Sequence, residues 1–237
     1  MALTKSTIVL RHKQHKRHEM VLSVDLGKKQ DHTAYIVSEA KPKVEKNLAG
    51  DDRQVMQIEV RNIVRLEIDP DSKTYYKDVA FHLYNVFHDK RLWLQKLANH
   101  ASVKPEFLLD TGGPGEPVAD DLERSMHIRT VRYQLVRGTA RVTRHSPARW
   151  TCPRPLMFQQ LDTAFGNDRI VIDPRLRWAE ELVKELSNLK REVSEETGTV
   201  RVTHREGSEH DDLAICLAST VWWVNQPKGQ NTLRLIR

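Results

Sequence analysis

The twelve residues from Leu213 to Val224, LAICLASTVWWV, are apolar around every side of a helix. A helix with no polar face has to be surrounded by protein or by lipid. Twelve residues fall well short of the ~20 that span a bilayer, so the segment predicts a helix buried in a globular core. Asp211 and Asp212 stand at its start. One acid there is explained as an N-cap, because Asp satisfies the orphan amides of a first helical turn. The second is not needed for capping.

The rest of the chain supplies what such a helix packs against. Met20–Asp25 is a short apolar run that ends in an acid and a glycine, the pattern of a strand entering a turn. Thr33–Glu39 reads as a second strand, Lys41–Asp52 as a polar hairpin loop, and Val55–Ile68 as one long strand or two. Tyr76–Leu97 has helical spacing. Pro105–Asp110 (PEFLLD) is a continuous apolar run of the sort buried on both faces of a parallel sheet, and a glycine-rich turn, TGGPGEP, follows. A short amphipathic helix carries Val118, Leu122 and Met126. Then come a strand at Thr130–Val136, a helix at Leu156–Phe165, a short strand at Ile170–Ile172, the clearest helix from Leu176 to Val193, and a strand or hairpin arm at Thr199–His204. Strands first cluster as hairpins and then alternate with helices, so the fold class is α/β with a mixed sheet.

The chain has 237 residues, 39% apolar and 30% charged, which excludes a membrane protein. Residues 1–18 read as a mobile basic arm, 19–226 as one domain and 227–237 as a tail. The apolar stretch at Thr7–Leu10 is too short for a signal peptide. Cys152 and Cys216 cannot form a zinc site alone and read as small buried residues in a reducing compartment.

Net charge is +6, and its distribution matters more than its size. No acid lies between Ser125 and Arg154, while Arg124, Arg129, Arg132, Arg137, Arg141, Arg144, Arg149 and Arg154 fall in or beside that stretch. Guanidinium forks suit phosphate, so the segment predicts a polyanion-facing surface, with Gly138–Arg154 as a loop that orders on DNA. The competing reading is a salt-bridged face, with these arginines paired to Asp120, Asp121 and Glu123.

Asp25, Asp110, Asp211 and Asp212 all sit at element ends. Carboxylates at the C-terminal ends of strands in an open α/β sheet point into the crevice where ligands bind. Oxygen-only donors select hard cations such as Mg2+ or Mn2+. The plain alternative is that Asp25 and Asp110 are turn residues and Asp211 is a cap. Gly112, Gly113 and Gly115 read as a turn that lets the chain pass close to this site, or as a phosphate cradle.

Three segments carry a more specific signal. VDLGKKQDHTAYIV (Val24–Val37), LLDTGGPGEPVADDL (Leu108–Leu122) and EHDDLAICLAST (Glu209–Thr220) resemble, in order, three motifs of the nuclease domain of phage large terminase subunits. The helix holding Glu185-Leu186 also resembles that family, and the likeness runs from about residue 20 to 224. The resemblance implies an RNase H-like fold, a mixed β-sheet flanked by helices, and two-metal hydrolysis of double-stranded DNA. It places metal-binding catalytic carboxylates at Asp25, Asp110 and Asp212, with Asp211 as a supporting or alternative ligand and Asp31 in the outer shell. His210, just before the two acids, reads by position alone as an ordinary surface histidine or as an outer-shell group that orients a carboxylate or sits near the scissile phosphate. The arginine stretch, read from its charge pattern, places DNA contacts at Arg129, Arg132, Arg137, Arg141, Arg144, Arg149 and Arg154. Ile215 stands where the family often has an acid, so the second ion is expected to be held more weakly. The sequence has no GxxxxGK[ST] phosphate loop, so the ATPase of a large terminase is expected on another domain or chain. By resemblance the partners are the small terminase subunit and the portal, and the setting is the cytoplasm of a bacterial host. A catalytically silent DNA-binding module, or a resolvase or RNase H-like nuclease with another nucleic-acid substrate, are the alternatives.

Overall fold

The computed structural model describes residues 18–27, 33–46, 49–67, 72, 74–88, 104–113, 115–138, 141–193, 200–204 and 210–226. The basic arm before His18, Asp31, the extension of the first helix to Leu97 and the tail 227–237 lie outside the described residues.

Three strands come first: β1 (Glu19–Asp25), β2 (Ala34–Lys46) and β3 (Asp52–Arg65). Helix α1 (Tyr75–His88), strand β4 (Lys104–Asp110), helix α2 (Gly115–Arg124) and strand β5 (Val131–Val136) follow. A hairpin, β6 (Thr143–Ser146) and β7 (Arg149–Pro153), runs directly into α3 (Arg154–Gly166). The chain continues through β8 (Ile170–Ile172), α4 (Ala179–Asn188), β9 (Leu189–Val193), β10 (Val200–His204) and α5 (Asp212–Asn225).

Among the described residues eight strands form one sheet, ordered β6-β7-β5-β4-β1-β2-β3-β8. β1 pairs antiparallel with β2 and parallel with β4, and β4 pairs parallel with β5. Helices cover both faces, which gives the RNase H-like mixed sheet that the motifs implied. β9 and β10 form a separate two-stranded ribbon.

β1 is central, so both of its faces are buried. Met20, Leu22 and Val24 pack with Val79 and Leu83 of α1 and Val118 and Leu122 of α2. Val21 lies in the opposite cluster, with Leu213, Leu217, Val221 and Trp222 of α5. Alternation of side chains along a strand puts Ser23 on the α5 face too. Its Oγ donates to the Cys216 carbonyl (2.8 Å) and accepts from Thr220 Oγ1 (3.0 Å). A buried hydroxyl is costly unless bonded, so these contacts tie α5 to β1 at a set height. Both tryptophans of α5 are core residues: the Trp222 ring packs on Tyr133 (5.7 Å) and edge-on to Trp150 (5.9 Å), and Trp223 is also buried.

Three expectations need correction. The Lys41–Asp52 loop is shorter, because β2 continues to Lys46 and β3 begins at Asp52 in a long alternating ladder. The helix read from Leu176 to Val193 covers only Ala179–Asn188: Leu189 turns to extended backbone (ψ 135), and 189–193 pair antiparallel with 200–204. The helical period persists in the sequence there, but a strand partner decides the conformation. The segment 143–153, read as loop, is a β-hairpin added to the sheet edge through parallel β5–β7 pairing. No helix among the described residues is long and apolar enough to cross a membrane.

Candidate metal centre

Strand register assembles the site. β1 and β4 are paired up to Val24↔Leu109, so the next positions, Asp25 and Asp110, stand side by side at the strand ends. Adjacent strands lie about 4.8 Å apart, and in-register parallel neighbours point to the same face. The same row holds Ala34 opposite Asp25, Tyr133 opposite Asp110 and Trp150 opposite Tyr133. Arg65, opposite Ala34, extends it on the other side. The row faces α5.

Asp212 reaches this row from above. Cys216, one helical turn after Asp212, bonds Ser23, and its Sγ contacts the Ala34 carbonyl (3.5 Å). Burial first, then the negative charges of Asp25 and Asp212, holds the Cys216 thiol well above its ordinary range. Burial, then Asp110 and Asp25, does the same to the Tyr133 hydroxyl. Asp25, Asp110 and Asp212 therefore occupy one end of the sheet although they are far apart in sequence.

Asp110 is the most burdened of the three. It is 9% exposed, and burial pushes its pKa from 3.8 to about 6, against the opposing effects of the Gly112 and Leu135 amides and the Arg154 charge. The Gly112 N–H donates to its Oδ1 (2.8 Å). The glycine turn works by close approach. A Cβ on Gly115, the first residue of α2, would lie 1.9 Å from the Asp110 carbonyl oxygen, and Gly113 holds φ +72. Gly115→Ala is expected to cost about 1–3 kcal/mol of stability, where an ordinary Gly→Ala in a helix gains up to ~1 kcal/mol. Urea unfolding measures the sign.

Asp211 is not the cap the sequence indicated. It occupies the N-cap position of α5 without a side-chain capping bond, and it pairs with Arg154. The capping acceptor is Glu185 of α4, whose Oε2 takes the Ala214 N–H (2.8 Å). Glu185 is 5% exposed, and its other oxygen pairs with Arg65. Sequence reasoning gave Glu185 no role in the site. The available signal was an acid set in the apolar stripe of Leu182 and Leu186. His210 is half-buried beside Asp211.

Burial lowers the pKa of Arg154, and the charges of Asp25 and Asp110 beside it oppose that shift. Its guanidinium stands 5.1 Å over the Phe158 ring. It is the one member of the arginine stretch placed at the carboxylates. Arg132 is a correction. It is buried on the opposite face of β5, bound to Glu116 (2.7 Å), Asp120 (2.8 Å) and Glu123 (2.6 Å) of α2. One inward guanidinium with three carboxylates is a tie between sheet and helix, not a surface contact for DNA. Arg129, Arg137, Arg141, Arg144 and Arg149 are exposed. Arg149 pairs with Glu116, and Arg144 covers Trp150 at 5.1 Å.

Among the described residues no three His, Cys, Asp or Glu side chains are gathered closely enough to hold one ion. The donor chemistry nevertheless fits a hard divalent cation. The donors are carboxylate oxygens only, they share one sheet edge, and burial presses Asp110 toward neutrality unless positive charge is supplied.

No family model and no curated protein matches this chain. Solved structures that resemble its fold include two of the human cytomegalovirus terminase nuclease domain. One, soaked with Mn, is 12% identical with a TM-score of 0.46 over 92% of this chain and 88% of its own. The other, Mn-soaked and inhibitor-bound, is 11% identical with a TM-score of 0.41 over 72% of this chain and 75% of its own.

Proposed function

We propose that this protein is a divalent-metal-dependent endonuclease that hydrolyses phosphodiesters of double-stranded DNA, of the terminase nuclease type. The observation that supports it most is the register that sets Asp25 beside Asp110 at the strand ends, under the first turn of α5 with Asp212. Asp25, Asp110 and Asp212 would hold Mg2+ or Mn2+, with Asp211 in support. When bound, such ions polarise a phosphodiester and acidify water for in-line attack.

The chain's own groups prepare that step. Glu185 fixes the head of α5 and so the position of Asp212. Gly115 lets α2 start directly against Asp110. Carboxylates at one end of the sheet repel DNA, and Arg154 supplies fixed positive charge where a phosphate must approach them. The exposed arginines Arg129, Arg137, Arg141, Arg144 and Arg149 would contact phosphates without reading bases. An ATPase domain, the small terminase subunit and the portal are the proposed partners, in a bacterial host cytoplasm.

The test is plasmid digestion with Mg2+, Mn2+ or EDTA. Supercoiled DNA should be nicked and then linearised with little sequence preference, and EDTA should stop it. A second reading, a silent DNA-binding module of the same fold, draws on the open spacing of the acids and on Arg154 already neutralising Asp211. Retention of DNA without cutting in either metal would favour it.

A further inference from the structure

Beside the carboxylates lies a cavity of about 450 Å³ lined by Arg137, Gly138, Arg154, Pro155, Arg201 and Thr203, among others. Three separate elements bring guanidiniums to it. Arg137 follows the last residue of β5, Arg154 begins α3, and Arg201 lies on β10 of the two-stranded ribbon. No carboxylate lines the cavity among the described residues. Arg137 and Arg201 are both exposed. Neither has an ion pair among the described residues, whereas Arg154 shares its charge with Asp211.

Like charges gathered around one cavity repel, and such an arrangement is relieved by an anion. The remaining wall fits one. Thr203 Oγ1 is buried with no hydrogen-bond partner among the described residues, and an unmet buried hydroxyl costs free energy. Guanidinium forks and a hydroxyl together are donors suited to phosphate oxygens.

We propose that this cavity seats a backbone phosphate of the bound DNA strand, adjacent to the phosphate presented to Asp25, Asp110 and Asp212. Arg201 supplies a contact from outside the main sheet. The proposal rests on the reading that the chain acts on DNA. Arg154 joins the two places: it touches Asp211 at the carboxylates and lines the cavity, so a strand laid across it offers successive phosphates to both. The β9–β10 ribbon is then a DNA clamp rather than an ornament of the fold, and Arg201 belongs with the DNA-contacting arginines although it lies outside their stretch of sequence.

The experiment is fluorescence anisotropy of a short labelled duplex with the full chain in EDTA, across a potassium chloride series. Each phosphate neutralised on duplex DNA contributes about 0.9 to the slope of log K against log salt. Arg201→Ala should therefore flatten the slope by about 0.9 and weaken binding roughly eightfold at ~0.1 M salt. Arg201→Lys, which keeps the charge, should retain the slope. Thr203→Val, which removes an uncharged donor, should weaken binding while leaving the slope alone. Arg201 is exposed, and equal melting temperatures would certify the variants as folded. A parental slope in Arg201→Ala overturns the proposal. So does a free-anion site, seen as inorganic phosphate raising the melting temperature of the parent but not of Arg201→Ala while both keep the same DNA slope. Plasmid cutting by the parent is scored separately. A cutting enzyme with an unchanged Arg201→Ala slope removes only this cavity's role. A flattened slope in a protein that cuts nothing keeps the cavity and removes the nuclease reading.

Discussion

Asp25→Asn is expected to lose at least ~1,000-fold in plasmid cleavage while melting no earlier than the parent chain. The two halves of that result have different causes. Asparagine keeps the size of the side chain but removes a charged oxygen donor from a site whose proposed Lewis acid contributes several kcal/mol. About 4 kcal/mol is a thousandfold in rate at ~1.4 kcal/mol per decade. Stability responds to the neighbours instead. Asp25 stands in register with Asp110 and near the start of α5, so removing one charge from the group relieves repulsion among like charges. The loss of one favourable partner for Arg154 opposes this, but Asp110 and Asp211 remain beside that guanidinium. Linearisation time courses in Mg2+ and Mn2+, with melting curves in EDTA, measure both. A variant that cuts within tenfold of the parent removes Asp25 from the catalytic set.

Asp110 should leave its mark on the pH dependence of stability. Its carboxyl titrates near 6 in the folded chain and near 3.8 when solvated. Between those values the folded state holds a proton that the unfolded state has released. Stability therefore falls as pH rises through that window and stays low above it. The full effect is on the order of 3 kcal/mol, since each pK unit is worth ~1.4 kcal/mol. Glu39, whose pKa is lowered by Arg61, Lys41 and His18 against its burial, acts in the opposite sense. The clean observable is thus the difference in unfolding free energy between the parent and Asp110→Asn. Asn retains an oxygen for the Gly112 amide, and in EDTA it should gain on the parent by that amount from pH 4 to pH 7. Mn2+ or Mg2+ at neutral pH should then stabilise the parent by binding its ionised carboxylates, and Asp110→Asn less. Urea titrations at several pH values give the curve, and a pH-independent difference would show that burial does not perturb Asp110.

Much of this molecule is written in local pattern. The run ending at Asp25, the run ending at Asp110 and the helix after Asp212 are legible because each is a burial signature set by neighbours in sequence. A strand covered on both faces is apolar throughout, and so is a helix with no open side. The glycines after Asp110 are legible for the same reason: Gly115 is needed by an oxygen only five residues away. Local pattern places the acids at the ends of elements, and resemblance supplied their grouping.

What the tertiary structure decided is which element end meets which. The pairing Val24↔Leu109 brings Asp25 beside Asp110, and nothing in either segment encodes that register. The alternation of Thr130–Val136 is visible, but not which face turns toward α2, so Arg132 reads as one of a basic series until three carboxylates are found around it. Glu185 looks like any acid of an amphipathic helix until α5 lands its first turn on it. The period of 176–193 continues as if helical, and only the arrival of 200–204 as a strand partner makes 189–193 extended. That ribbon carries Arg201 to Arg137 and Arg154. Propensity and periodicity act over a few residues, whereas register, ion pairing and capping between elements are energies of contact across long loops. They exist only once the chain has closed those loops.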